Sequence, residues 1–168
     1  MMNKFYMLTG VPGSGKSTLA HEILIPKHTD GEALCYYAST DQYIEDKAHS
    51  LGLTYSEAFK DLIKEATSYV ISCVKENLRH GMDIVWDQTN LTKKSRHDKL
   101  MLVPECYTKS SVLVLMPTKQ ELWKRLNNRP GKEIPENVIQ NMIKSFQPPS
   151  LDEGFSELWI YDGNLLTK

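Results

Sequence analysis

The sequence predicts an α/β layer fold built on a central parallel sheet. Three observations predict it: short apolar runs alternate with helical periodicities, the first run leads into a glycine-rich loop that opens a helix, and 168 residues suffice for one core. Residues 1–168 are read as a single domain, with no repeat, low-complexity stretch or linker to divide them.

The elements follow in order. Lys4 to Thr9 mix aromatic and apolar residues ahead of a Gly/Pro cluster, as suits a strand buried on both faces. Ser17 to Leu24 place Leu19, Ala20, Ile23 and Leu24 at helical spacing, and Pro26 ends the run. Ala33 to Ser39 form a second strand, which leaves Thr40, Asp41 and Gln42 at its carboxyl end. A long helix is expected from Ser56 as N-cap to His80, with Phe59, Ile63, Ala66, Val70, Val74 and Leu78 on its buried side and Gly81 as its stop. Met82 to Trp86 give strand three, Lys94 to Val103 a helix, Ser111 to Leu115 strand four and Lys119 to Asn127 another helix. Glu136 to Phe146 extend as a helix after Pro135, and Glu157 to Tyr161 close the sheet as its last strand.

Composition excludes several classes. With 40% hydrophobic and 24% charged residues and no apolar run near the ~20 needed to cross a bilayer, the chain reads as soluble and free of membrane partners. Its N-terminus resembles a first strand more than a signal peptide, so a cytoplasmic location is expected. Cys35, Cys73 and Cys106 lack the spacing of a disulfide framework or zinc site, and the five histidines show no metal or nucleophile pattern. Twenty basic and 21 acidic side chains leave a net charge of −1, so any contact with a polyanion is local.

Gly10 to Ser17 match G-x-x-x-x-G-K-S/T in full, and Thr18 follows. Glycines let successive backbone N–H groups turn inward onto phosphates, and the helix that follows presents its positive dipole end to the same anion. Pro12, Gly13, Ser14, Gly15, Lys16, Ser17 and Thr18 are therefore the nucleotide cradle, with Lys16 bridging the β- and γ-phosphates and Ser17 on Mg²⁺. The motif narrows the fold to a P-loop NTPase of adenylate-kinase-like, three-layer type, with ATP and Mg²⁺ as expected cofactors.

Ligands of open α/β sheets bind at the carboxyl ends of strands, which directs attention to Asp41 after strand two and Asp87 after strand three. Asp41 is the candidate base for an acceptor hydroxyl; its alternative is a cap for a helix starting at Gln42. Asp87 is the candidate to hold Mg²⁺ through water or to orient the acceptor, and its alternative is a turn residue. Thr89 and Asn90 either contact the substrate or stabilise their loop. Residues 123–135 (WKRLNNRPGKEIP), with Arg125, Arg129 and Lys132, read either as a solvated basic segment or as a lid in which Arg125 and Arg129 reach the triphosphate, Arg129 stabilising the transferred phosphoryl group. Lys93, Lys94, Arg96 and Lys99 form a second basic group, either a solvated face or, at Arg96 above all, a contact to the acceptor.

The order of these motifs resembles a phage-type polynucleotide 5′-hydroxyl kinase domain. GVPGSGKST, STDQY, QTNL and KRLNNRPGKEIPENVIQNM each resemble a segment of that family, and the likeness extends along nearly the whole chain. The resemblance implies that Asp41 activates a 5′-hydroxyl of DNA or RNA, that Lys16 and Ser17 handle ATP and Mg²⁺, and that Arg129 is the lid arginine. Two positions depart from it: Ile44 stands where the family has an acceptor-contacting arginine, and Gln88 replaces the aspartate before the threonine of DTNL. The family's C-terminal phosphatase domain is not expected. Kinases acting on a nucleoside, a small metabolite or a hydroxymethylated DNA base, and a non-catalytic nucleotide-binding regulator, are the alternatives.

Overall fold

A computed structural model describes residues 2–25 and 35–168. Strand β1 (Lys4–Thr9) lies at the centre of a six-stranded sheet ordered β2-β3-β1-β4-β5-β6, where β2 is Cys35–Ala38, β3 Asp83–Asp87, β4 Thr108–Val114, β5 Glu157–Tyr161 and β6 Leu166–Thr167. All neighbours through β5 are parallel, and only β6 runs antiparallel to β5. The expected start of strand two, residues 33 and 34, lies outside the described residues, as do Pro26 and His28. β6 is an addition to the expected topology: its two paired residues are too few for any periodicity to announce them.

Alternation along the strands sorts the core into two layers. Phe5, Met7, Ile84 and Trp86 pack under α3 (Tyr55–Arg79) and α4 (Lys93–Leu100) through Val70, Val74, Leu78 and Leu100. On the opposite face Leu8, Val85, Val112 and Val114 pack against Leu19, Ala20 and Leu24 of α1 (Lys16–Leu19), which continues as a π-helical turn over Ala20–Leu24. This gives the three layers and the parallel sheet that the sequence predicts. Complete burial of a Leu, Phe or Met side chain contributes roughly 1.5–3 kcal/mol, so these layers hold most of the cohesive energy.

Two further clusters fix the parts around the site. The first joins α2 (Thr40–Ser50) to α3 through Ile44, Ala48, Ala58 and Ala66. The second places Val11 of the phosphate loop against Leu91, Leu122 and Leu126 of α5 (Lys119–Asn127) and Ile139 of α6 (Glu136–Lys144).

Local corrections have clear causes. Thr54, not Ser56, caps α3, because Thr54 and Glu57 complete a reciprocal capping box: Oγ1 of Thr54 accepts from the Glu57 backbone and Glu57 Oε2 from the Thr54 backbone. Ser56 lies inside the helix and binds the lid instead, its N–H donating to Gly131 O at 3.0 Å. Phe59, expected on the buried side, is 40% exposed, since the small residues Ala58 and Ala66 form the seam with α2. Among the described residues, no helix is long and apolar enough to cross a membrane.

Candidate active site

The phosphate loop, Asp41 and Asp87 sit at the carboxyl ends of parallel strands β1, β2 and β3, where the chain leaves the sheet and its backbone groups are free to serve ligands. The loop after β1 holds Gly13 and Gly15 at φ 81° and 107°, in the left-handed region that favours glycine. A methyl group at Gly13 would also meet Leu122 at 3.1 Å, so the loop owes its close seat on α5 to the missing side chain. Lys16 is buried, and its Nζ donates to Val11 O at 3.0 Å across the loop. Burial pushes its pKa down, against the pull of the Asp87 and Asp41 carboxylates.

Ser17 and Asp87 meet. The Ser17 hydroxyl donates to Asp87 Oδ2 at 2.6 Å, and the Tyr37 hydroxyl donates to the same oxygen at 2.6 Å. Asp87 is thus no turn cap; its carboxylate faces the first turn of α1 beside the phosphate loop. Burial and the Asp87 charge push the Tyr37 phenol upward, so it remains a donor. Ser14 Oγ is buried inside the same loop with no hydrogen-bond partner, an unsatisfied donor of the kind a phosphate oxygen would meet. Hydroxyl, carboxylate, lysine and orphaned serine together fit Mg²⁺ and a nucleotide triphosphate.

Asp41 is the second residue of α2 rather than its cap; Ser39 is the cap, its Oγ accepting from Gln42 N at 3.2 Å. This releases the Asp41 carboxylate for other partners. Oδ1 accepts from the Tyr55 hydroxyl at 2.8 Å, and Oδ2 accepts from Lys132 Nζ at 2.7 Å. Lys132 also donates to Glu45 Oε1 at 2.6 Å and lies 4.0 Å above the Tyr55 ring. Burial would raise the Asp41 pKa, but the Lys132 charge and hydrogen bond, with help from Tyr55 and Arg129, carry it below the usual carboxylate value. Tyr55 shifts upward by burial and by the Asp41 charge, which keeps it the donor of that bond.

Lys132 has a role that its place in the lid segment does not announce. It reads as one charge in a basic run, yet its side chain is only 6% exposed and ties the lid to α2. A signal existed in Asp41 and Glu45, spaced i, i+4 and so on one helix face, which calls for a cation. Arg125, exposed, donates from Nη1 to Gly13 O at 3.4 Å and from Nε to Glu121 at 2.8 Å, so it stands at the rim of the cradle. Arg129 is half-buried, close enough for its charge to act on Lys16, Asp41 and Tyr55 alike.

Other expected contacts are corrected. Arg96 is fully buried: Nε and Nη2 pair with Glu153 at 2.7 and 2.8 Å, and Nη1 donates to the carbonyls of Asn90 and Gln147. It therefore neither forms part of a solvated face nor reaches a substrate; its charge is matched inside the protein. Asn90, at φ 47°, is 2% exposed, and its amide donates to Leu8 O at 2.7 Å while its oxygen accepts from Lys99 Nζ at 2.5 Å. Its polar atoms are committed to the loop rather than to a ligand. Thr89 contributes its carbonyl, which accepts from Gly10 N at 3.0 Å and so links this loop to the phosphate loop. Burial pushes the Lys99 pKa down to about 8 beside the Trp86 ring. Gln88, the departure at DTNL, accepts from Trp86 Nε1 at 3.1 Å and donates to Thr40 Oγ1 at 2.9 Å, bracing the end of β3 against the start of α2. Ile44 is wholly buried against α3, so the position of the family's acceptor arginine belongs to the core.

Comparison with known proteins bears on the family and the fold. A family model described as "AAA domain" matches residues 6–149. An L-seryl-tRNA(Sec) kinase of Methanococcus maripaludis is 30% identical over 146 residues, covering 85% of this chain and 52% of the relative, so the chain spans about half the length of that protein. Among solved structures, Kti12 of Chaetomium thermophilum in complex with ADP-AlF3 aligns at a TM-score of 0.66 with 17% identity, covering 95% of this chain and 89% of that one. A gluconokinase of Sinorhizobium meliloti aligns at 0.53 with 16% identity, covering 95% and 83%. A chain of the Pnkp1/Rnl/Hen1 complex aligns at 0.54 with 24% identity, covering 80% and 44%. The likeness to these structures is one of fold. With the family model matching most of its length and the phosphate cradle intact, the chain belongs to this AAA-domain family as a P-loop kinase-like member.

Proposed function

We propose that the protein transfers the γ-phosphate of ATP to a hydroxyl carried on a nucleic acid, the 5′-hydroxyl of DNA or RNA first among the candidates. The observation that carries this reading is the Asp41 carboxylate, held by Tyr55 and Lys132 at the carboxyl end of the strand beside the one that ends in Asp87. The M. maripaludis relative, named as an L-seryl-tRNA(Sec) kinase, supports an acceptor of this class.

Lys16 and the backbone N–H groups of Gly13 to Ser17 would hold the triphosphate, while Ser17 and Asp87 would hold Mg²⁺. When bound, the metal neutralises charge on the phosphate oxygens. Arg129 and Arg125, from the lid, supply positive charge as the phosphoryl group moves. Asp41 accepts a hydrogen bond from the incoming hydroxyl and aims its oxygen at phosphorus. Because its basicity is lowered, Asp41 acts chiefly by orientation and takes the proton late, once the oxygen has begun to bond to phosphorus.

Terminally labelled ATP, offered with 5′-OH oligonucleotides, nucleosides and aminoacyl-tRNA, tests the proposal. Label is expected at the oligonucleotide terminus and lost in Asp41→Asn, which should still bind ATP. Labelling of nucleosides or small metabolites with no nucleic-acid product would overturn it.

A further inference from the structure

We infer that Phe59, with Tyr55 beneath it, is a stacking platform for the base nearest the acceptor hydroxyl. The inference rests on the assignment of Asp41 to the acceptor. Tyr55 and Phe59 are four residues apart on α3 and so share a face. Their ring centroids are 5.5 Å apart at an interplanar angle of 38°. Tyr55 hydrogen-bonds Asp41, and Lys132 covers its ring, so this end of the aromatic pair is closed and bound to the reacting centre. Phe59 is the open end, a large apolar ring 40% exposed within one side chain of the Asp41 carboxylate's partner.

The charges around the site make an aromatic contact the chemically suitable one. Lys132 is already matched by Asp41 and Glu45, Arg96 by Glu153, and Ile44 is in the core, so none of these can grip an acceptor phosphate. A planar base needs no counter-charge. It gains from covering Phe59, whichever base it is, because every base offers a π-face. Phe59 is thus a specificity-determining residue: it selects acceptors with a planar ring next to the hydroxyl and leaves the phosphate donor untouched.

The test compares two 5′-OH oligonucleotides that differ only in the terminal residue, one bearing a base and one abasic. Wild type is expected to use the base-bearing acceptor with a KM lower by roughly tenfold, a usual stacking contribution. Phe59→Leu, which keeps an apolar side chain but no π-face, should raise the KM for the base-bearing acceptor by roughly tenfold, leave the abasic acceptor and the ATP KM unchanged, and so erase the preference. Phe59→Trp should retain it. Equal losses on both acceptors, or no change on either, would overturn the stacking role while leaving the acceptor class standing. A wild-type protein that labels no oligonucleotide would sink both.

Discussion

Replacing Arg96 by Met separates two roles that are easily confused. A surface arginine that touches an acceptor phosphate would, when removed, raise the acceptor KM and leave stability nearly unchanged. Arg96 is instead 0% exposed, Glu153 is 6% exposed, and the guanidinium also serves the carbonyls of Asn90, Gln147 and Pro148. Arg96→Met strands a buried carboxylate and these carbonyls, a loss of about 3–5 kcal/mol for breaking a buried pair. In a chain of this length each kcal/mol moves the melting temperature by about 2–4 °C, so a fall of roughly 6–20 °C is expected in a thermal scan. The double variant Arg96→Met/Glu153→Leu, which removes both charges, should recover most of it. Because Asn90 and Thr89 hold the phosphate loop through Leu8 and Gly10, nucleotide affinity should fall together with stability in the single variant. An Arg96→Met protein as stable as wild type, with only its acceptor KM raised, would place Arg96 on the acceptor and not in the buried pair.

Further expectations follow from the same geometry. Lys132→Met removes the cation that lowers the Asp41 pKa, so the acid limb of the pH–rate profile should move to higher pH. In the wild type the stability from this depressed carboxylate is present above its unfolded pKa and is lost only as pH falls through the lower folded value; an acid limb unchanged in the variant would count against the pairing. Asp87→Asn keeps the size of the side chain but removes its charge, and the Mg²⁺ concentration for half-maximal turnover should rise at least about tenfold while metal-free nucleotide binding persists. An unaltered Mg²⁺ dependence would exclude Asp87 from the metal. Ile44→Arg, which restores the arginine of the resembled family, should not create an acceptor contact; it buries an unpaired charge among Ala48, Ala58 and Ala66 and should cost more than about 4 kcal/mol in urea unfolding. A stable variant with improved acceptor use would show that α2 can turn Ile44 outward.

The fold and the phosphate loop were legible in the sequence, for a physical reason. A parallel sheet and its helices are written in short-range periodicity, and a phosphate loop is nearly a local object: Gly13, Gly15, Lys16 and Ser17 build it from consecutive residues. What lay beyond the sequence was pairing between residues far apart in the chain. The bond from Ser17 to Asp87 spans 70 residues and that from Lys132 to Asp41 spans 91, and no periodicity reports either. Arg96 and Lys132 looked alike on paper, as members of basic runs. Tertiary structure buried each against a carboxylate and turned one into a structural post and the other into a clamp on Asp41. Phe59 went the opposite way: helical spacing assigned it to the core, but the core side of α3 was taken by Ala58 and Ala66 where α2 crosses close, and the larger ring was left beside the site. Burial is a property of the neighbour as much as of the residue, and only the folded chain supplies the neighbour.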